Sequence, residues 1–293
     1  MQITITSMGY QATIDTLGAE LKSFKNPSGK EFFWNSDPNF WFRSSPLLFP
    51  TIGNVRDNKT IFDGKEYSMP KHGFCKDSEF TISVQAKDSV TFVLEASPQT
   101  LSSYPYAFHL QLAYRLEGSK LSMTYQVTNN DIEEMPYHIG AHPGFMCPLE
   151  KGEMLSDYQL EFEKEECLIA TMYDLEKLCF STTKKQHFNE KGSILPLSAA
   201  MFDHDAVFFP HTNSHIVKLV HKDTGKGVQV SYPDFSSVAF WTPVGGNAPF
   251  LCIEPWNGAA IYEDEDDVFC HKRDIELLAP GEVKTYKLGI SLI

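Results

Sequence analysis

The alternation of apolar and polar positions along the chain follows the period of β-strands. Side chains two residues apart reach the same face of a strand, so an apolar residue at every second position marks a strand with one buried face. β-Branched and aromatic residues follow this period in four segments: 2–7, 11–15, 79–85 and 89–95. We therefore predict that strands dominate the fold.

Two longer pairs of alternating segments predict β-hairpins. In each pair, two strand-like runs flank a short turn that contains glycine, which is typical of antiparallel strands. The pairs are 108–116 with 121–127 and 215–221 with 227–232. Hairpins of this kind build antiparallel sheets.

Helical signals are few. Only 37–42 and 197–202 predict short helical turns, and no helix alternates with strands as a doubly wound α/β fold requires. The 293 residues can bury a large core, and an all-β sandwich of this length commonly forms one domain. We predict an all-β domain over residues 1–293, a large antiparallel β-sandwich with few short helices.

Composition and charge limit the class of protein and the kinds of partner that it can have. Hydrophobic residues make up 42% of the chain and charged residues 22%, which is typical of a folded soluble protein. The net charge of −13 argues against nucleic acid or an anionic membrane surface as the main partner, because both attract basic patches. No signal peptide or membrane-length apolar stretch is visible, so we expect a cytoplasmic protein.

Cysteines and acidic residues give no metal signature. The six cysteines are spread from Cys75 to Cys270 without close spacing, which suits neither a disulfide framework nor a clustered zinc site, so we expect reduced thiols. The acidic run at 263–267 predicts a solvated loop, since it lacks the glycine that a calcium-binding loop requires. We predict no metal.

Three histidines, His72, His138 and His142, are candidate functional residues because glycine and proline next to them constrain the backbone. His138 and His142 have the spacing of two zinc ligands on a helix, but Gly140 and Pro143 disfavour that helix. An extended segment remains, which could present His142 to a cleft at a strand end. His72 lies in a similar setting of proline and glycine. We interpret His138 as structural or supporting.

A carboxylate follows the apolar segment 251–253. Glu254 at the end of a buried strand must be paired, hydrogen-bonded or catalytic, because an unpaired buried charge is costly. The turn-forming residues after it include Trp256, which could stack on a sugar ring or fill core space.

Five short blocks stand in order along essentially the whole chain: PLLFPTIGN (46–54), KHGF (71–74), GAHPGF (140–145), FDHDA (202–206) and EPW (254–256). In this order they resemble the aldose 1-epimerase (galactose mutarotase) superfamily, and more closely its LacX-type branch. The ordered set is specific, although each block alone is weak.

The resemblance implies a galactose mutarotase-like β-sandwich with its site in a cleft on the concave face. His142 matches the family's general acid and Glu254 its general base. His72 and Arg56 match substrate-binding residues, and Asp203 and Asp205 compete for a hydroxyl-binding role, with Asp205 preferred. Trp256 is predicted to contact the sugar.

The implied activity is the interconversion of sugar anomers by acid/base ring opening and reclosure. Glu254 would take the C1 hydroxyl proton and protonated His142 would supply one to the ring oxygen, a reaction that requires no cofactor. Glu254 must titrate near neutral pH for this purpose, and we expect burial to raise its pKa. The expected ligand is a small-molecule sugar, and the protein is expected to be a monomer or homodimer.

Two alternatives stay open. One is epimerisation of a hexose 6-phosphate, for which Arg43, Arg56 and Lys71 could supply positive charge. The other is a non-catalytic carbohydrate-binding or sugar-sensing protein, in which Trp241, Trp256 and Tyr137 would serve stacking alone. Val55-Arg56 and His72-Gly73-Phe74 depart from the galactose mutarotase pattern, so the identity of the sugar stays open.

Overall fold

The computed structural model describes residues 1–293 and consists almost entirely of β-strands. Besides one helical turn, α1 (Pro98–Leu101), only five short 3-10 turns occur. These are Arg56–Asn58, Cys75–Asp77, Leu155–Asp157, Ala199–Phe202 and Phe269–His271. The predicted all-β class is confirmed.

The 22 strands are short in the N-terminal part and longer towards the middle of the chain. In chain order they are β1 Gln2–Ser7, β2 Tyr10–Asp15, β3 Leu21–Lys25, β4 Leu47–Leu48, β5 Lys59–Phe62, β6 Lys65–Ser68, β7 Thr81–Gln85, β8 Ser89–Glu95, β9 Phe108–Glu117, β10 Lys120–Asn129, β11 Met135–Tyr137, β12 Ile139–Ala141, β13 Gly144–Met146, β14 Tyr158–Asp174, β15 Cys179–Pro196, β16 Val207–Phe209, β17 Ile216–His221, β18 Gly227–Ser231, β19 Ser237–Trp241, β20 Phe250–Asn257, β21 Glu276–Leu278 and β22 Val283–Leu292.

Fifteen of these strands form one large antiparallel sheet. Its order is β4-β12-β20-β19-β16-β14-β17-β18-β22-β10-β9-β8-β7, with β13 also paired to β20 and β15 to β14. A smaller sheet, β1-β2-β3, packs against β8 and β9 and is tied there by the Tyr114 hydroxyl, which donates to the Ala19 carbonyl at 2.7 Å.

Both predicted hairpins are confirmed. β9 pairs with β10, and β17 pairs with β18, in antiparallel register. Along β9, every second residue is buried in the main hydrophobic core, as the alternation predicted. Of the predicted helical turns, 197–202 contains a 3-10 turn at Ala199–Phe202, whereas 37–42 forms only a turn.

The strand that carries Glu254 is longer than predicted. Instead of ending at residue 253, β20 continues through Pro255 and Trp256 to Asn257, and all of its residues are buried. It lies between β19 on one side and β12 and β13 on the other, with Ala239 opposite Glu254 and Gly140 opposite Trp256. Glu254 is therefore held rigidly in the interior of the large sheet.

No helix in the structure has the length and apolarity that crossing a membrane requires.

Candidate active site

A cavity of about 310 Å³ brings together residues from distant parts of the chain. Five of the six residues predicted from sequence line it: His72, His142, Asp205, Glu254 and Trp256. Cavities of this size hold small ligands.

His142 and Glu254 are in direct contact in this cavity. Nε2 of His142 lies 3.2 Å from Oε2 of Glu254, and the two side chains are only 9% and 1% exposed. The other carboxyl oxygen, Oε1, is buried without a hydrogen-bond partner. An imidazole and a carboxyl group that are buried together and incompletely hydrogen-bonded can exchange a proton with each other or with a bound molecule.

Burial shifts the pKa values of this pair in opposite directions. Loss of solvent raises the pKa of Glu254 well above its ordinary value, and the nearby Asp205 charge adds to the rise. Burial also lowers the pKa of His142 to about 3. Both shifts favour the uncharged forms, a protonated carboxyl group and a neutral imidazole.

The His72 loop is fixed by a close backbone approach. Gly73 lies against the Phe49 carbonyl, where a Cβ atom would be 2.0 Å from the oxygen, and its φ is +70°. The preceding His72 also has a left-handed backbone, with φ of 65°. Its Nδ1 accepts a hydrogen bond from the Gly53 N–H at 3.0 Å, so Nε2 is the ring nitrogen that carries hydrogen.

Asp205 occupies another part of the cavity wall. The indole N–H of Trp241 donates to its Oδ1 at 2.7 Å, which fixes the carboxylate while leaving Oδ2 available to a ligand. Asp203, the competing candidate, is exposed and does not line the cavity.

Trp256 is not the exposed indole that a turn would have produced. It lies within β20, is 3% exposed and packs against Phe208, with ring centroids 5.1 Å apart. Its buried Nε1 approaches the Glu254 carboxyl group closely enough to lower the pKa of that group, but it does not form a hydrogen bond of normal geometry, so the indole presents an N–H donor at the cavity.

Arg56 is placed outside the cavity. Its Nε donates to Asp267 Oδ1 at 2.9 Å, and Nη2 donates to the Glu265 carbonyl at 3.0 Å. The structure therefore gives no support to its predicted contact with substrate. His138 is buried and also lies elsewhere, with Nε2 3.1 Å from the Arg273 carbonyl.

Three cations line the cavity: Arg43, Lys71 and Lys76. Arg43 and Lys76 are both bound to Asp77, whereas Lys71 is exposed and has no carboxylate partner. All three lower the pKa of the His72 imidazole, after the larger effect of burial, so their charge concentrates at the His72 end of the cavity.

Cys252 lies beside the central pair. Its sulfur and the nearest side-chain atoms of His142 and Glu254 are all within 4.8 Å of one another. Burial raises the pKa of the Cys252 thiol, and a protonated thiol is a poor metal ligand. We assign no metal to this cluster.

Sequence reasoning named Trp241 as a stacking residue for the non-catalytic alternative but missed the rest of the aromatic wall of the cavity. Trp41 stacks on the His142 imidazole, with ring centroids 4.8 Å apart and planes at 30°, and Trp241 meets the same ring edge-on at 5.5 Å. Tyr173 and Phe180 also line the cavity. An aromatic cluster at 40–42, directly before the block at 46–54, was the available signal for Trp41.

Similar proteins share this fold over their full length. A galactose mutarotase-like protein from Lactobacillus casei is 28% identical, with a TM-score of 0.93 and coverage of 100% of both chains. A galactose mutarotase related enzyme from Lactobacillus acidophilus is 27% identical, with a TM-score of 0.92, and the match covers 100% of this chain and 97% of that one. The fold is that of the galactose mutarotase-like β-sandwiches.

The family follows from the sequence comparison. The profile of the aldose 1-epimerase family matches residues 1–265. The plasmid-encoded protein LacX of Lactococcus lactis subsp. lactis is 33% identical over 300 residues, covering 100% of both chains. This chain belongs to the aldose 1-epimerase family.

Proposed function

We propose that this protein is an aldose 1-epimerase that interconverts the α- and β-anomers of a sugar. The observation that carries the proposal is the 3.2 Å contact between His142 and Glu254 at a ligand-sized cavity. Membership of the aldose 1-epimerase family supports the same activity.

The reaction needs one proton acceptor and one proton donor. Glu254 removes the proton of the C1 hydroxyl, His142 delivers a proton to the ring oxygen, and the C1–ring oxygen bond breaks to give the open-chain aldehyde. Rotation about C1–C2 and reversal of these transfers produce the other anomer. Proton transfer across the 3.2 Å contact converts the resting carboxyl–imidazole pair into the reactive carboxylate–imidazolium pair.

Three further residues bind the sugar in this proposal. The His72 Nε2–H and the Trp256 indole N–H act as donors, and Asp205 accepts from hydroxyl groups. Donors and acceptors around one small cavity match the alternating hydrogen-bond capacity of sugar hydroxyls. We leave Arg56 out of this set, because its guanidinium is bound to Asp267.

Polarimetry tests the activity. Wild-type protein should accelerate the mutarotation of an aldose, and His142→Asn should reduce the rate by about 100- to 10,000-fold, the usual scale of general acid/base assistance. Saturable sugar binding by wild-type protein without faster anomer exchange would instead identify a non-catalytic sugar-binding protein.

Phosphorylated hexoses are a second candidate substrate class. The favouring observation is Lys71, an exposed cation at the cavity that has no carboxylate partner, whereas Arg43 and Lys76 beside it are already bound to Asp77. The Lys71 ammonium group would pair with a phosphate group.

A comparison of glucose with glucose 6-phosphate separates the two classes. If the phosphosugar is the substrate, it should be preferred in kcat/KM, and Lys71→Gln should reduce kcat/KM for glucose 6-phosphate more than kcat/KM for glucose. Equal or higher kcat/KM for glucose would rule out the phosphate preference.

A further inference from the structure

Four aromatic rings form a stacked column that ends at the His142 imidazole. Trp34 stacks on Phe250 with ring centroids 4.4 Å apart, Phe250 on Trp41 at 5.6 Å, and Trp41 on His142 at 4.8 Å, with interplanar angles of 28°, 20° and 30°. Trp241 closes the side of the column, edge-on to Trp41 at 5.4 Å. The imidazole is the only titratable ring of this column.

The hydrogen bonds of His142 do not fix its ring by themselves. Catalytic imidazoles are commonly oriented by a carboxylate or carbonyl that binds the second ring nitrogen. In His142, Nε2 contacts Glu254, but the buried Nδ1 has no hydrogen-bond partner on another residue. The restraint on the ring plane must therefore come from packing.

We propose that Trp41 is a positioning residue, which holds the imidazole plane so that Nε2 faces Glu254 and favours the imidazolium formed during the reaction. The stacked indole restrains the orientation of the imidazole plane. A cation against an indole face is attracted by the negative face of the ring, which favours the imidazolium. This inference rests on the proposed epimerase function.

Hydrogen bonds to the backbone carbonyl and the backbone N–H of Trp41 fix its position. The Trp34 indole N–H donates to the Trp41 carbonyl at 2.8 Å, and the Trp41 N–H donates to the Asp37 carbonyl at 2.9 Å. Gly144, two residues after His142, leaves room for the column, because a Cβ atom there would lie 3.2 Å from both Trp34 Cβ and Trp41 Cζ3. The column is thus built against the same segment that carries the imidazole.

Other groups also influence the proton affinity of His142. Glu254 and Cys252 face it from β20, and Lys71 and His72 face it from the neighbouring loop, with the His72 ring centroid 5.7 Å away. A substitution of Trp41 does not alter the identity of any of these side chains, so its effect on the imidazole can be measured against an otherwise unchanged set of titratable groups.

The test compares Trp41→Leu with Trp41→Phe, which retains a flat ring. Trp41→Leu should lower kcat by about 10- to 100-fold, as expected for a loosened catalytic group. Loss of the indole face should shift the pH–rate limb of the imidazole to lower pH by about 0.5 to 1 unit, whereas a shift to higher pH would mean that relief of burial outweighs the lost attraction and would contradict the charge role. Trp41→Phe should restore most of both. In ¹⁵N histidine spectra at pH 7, His142 should show one tautomer in wild type and an average of two in Trp41→Leu.

Phe250→Leu separates positioning from sugar contact, because Phe250 lies behind Trp41 and does not line the cavity. Phe250→Leu should shift the pH–rate limb of the imidazole while KM stays unchanged. Phe92→Leu, which changes a buried residue of β8, is the control and should lower Tm without shifting this pH–rate limb. If Phe250→Leu does not fold, Trp34→Phe provides the second probe.

The inference would be overturned if Trp41→Leu changed only KM, or if Trp41→Phe were as impaired as Trp41→Leu. An unchanged His142 tautomer in Trp41→Leu would also contradict it. Because the ¹⁵N spectra need no turnover, they still test the positioning role if wild-type protein proves inactive, an outcome that would refute the proposed function alone.

Discussion

Two clusters of charged residues in this protein are built in opposite ways. In the acidic segment 263–267, every side chain has a partner. The pairs are Glu263 with Lys177, Asp264 with Arg273, Glu265 with Lys272, Asp266 with His271 and Asp267 with Arg56. In the cavity, by contrast, Glu254 Oε1 and His142 Nδ1 are buried without hydrogen-bond partners.

The difference distinguishes charged residues that stabilise the structure from charged residues that are available to bind a ligand or take part in a reaction. A paired network fixes the segment that follows Ala260 at the cavity wall, and it leaves little capacity to bind anything else. Unsatisfied buried groups lower stability, and proteins retain them where a ligand or a reaction uses them. Substitutions in the two clusters should therefore have different consequences.

The largest effect on stability should come from the buried pair Lys272–Glu265, whose side chains are 3% and 7% exposed. Lys272→Met removes the ammonium partner of a nearly buried carboxylate, which keeps the Arg273 backbone N–H at 3.1 Å and an Arg273 guanidinium nitrogen at 3.6 Å. We therefore expect the free energy of unfolding to fall by up to about 3 kcal/mol. Urea denaturation measures this loss. The double variant Lys272→Met/Glu265→Gln should recover part of it, and a single variant as stable as wild type would contradict the role of this pair.

The cavity pair should instead control how stability depends on pH. The pKa of His142 falls from 6.5 to about 3 on folding. Between these pH values the unfolded chain binds a proton at His142 that the folded chain does not bind. The contribution of His142 to the free energy of unfolding therefore rises with pH. The pKa of Glu254 is raised above 4.5 on folding, so above pH 4.5 the folded chain holds a proton at Glu254 that the unfolded chain has lost. The contribution of Glu254 to the free energy of unfolding therefore falls with pH.

Between pH 5 and 6 the two contributions oppose each other. His142→Asn should lower the slope of unfolding free energy against pH by up to about 1.4 kcal/mol per unit, and Glu254→Gln should raise it by up to the same amount. Urea denaturation at several pH values measures both slopes. Changes of the same sign in the two variants would contradict the assigned shifts.

The smallest effect should come from Arg56→Gln. Its ion pair with Asp267 is partly exposed, so the unfolding free energy should fall by about 1 kcal/mol or less. The kcat/KM of the proposed epimerase reaction should stay within about twofold of wild type, since the guanidinium lies outside the cavity. A large rise in KM would restore the substrate contact implied by the family resemblance.

Much of the fold was predictable because its strands are half-buried. In β9 and β10 the alternation of apolar and polar residues follows the pleat without interruption. The longest hairpin, β14 with β15, was not predicted: its register shifts between Glu161 and Glu166 and again near Leu168, and most of β15 is exposed. Bulges and an exposed face remove the period on which the prediction depends.

The candidate site was predictable where local sequence carries the signal or, as for Asp205, where the family resemblance supplies it. Glycine and proline around His72 and His142 mark rigid segments, and these two residues do line the cavity with Glu254. Trp41 and Lys76 reach the cavity through packing between segments far apart in sequence. Arg56 was predicted to contact the substrate but lies outside the cavity, bound to Asp267. The local sequence gives no sign of this pair, because Asp267 is 211 residues away along the chain.

The central claim is that the His142–Glu254 pair catalyses anomer exchange. NMR measurement of exchange between the α- and β-anomers of an aldose, with wild type and Glu254→Gln at equal concentration, tests it most directly. Wild type should accelerate exchange, and folded Glu254→Gln should lose about 100- to 10,000-fold in rate while still binding sugar. Near-normal exchange with Glu254→Gln would contradict the account.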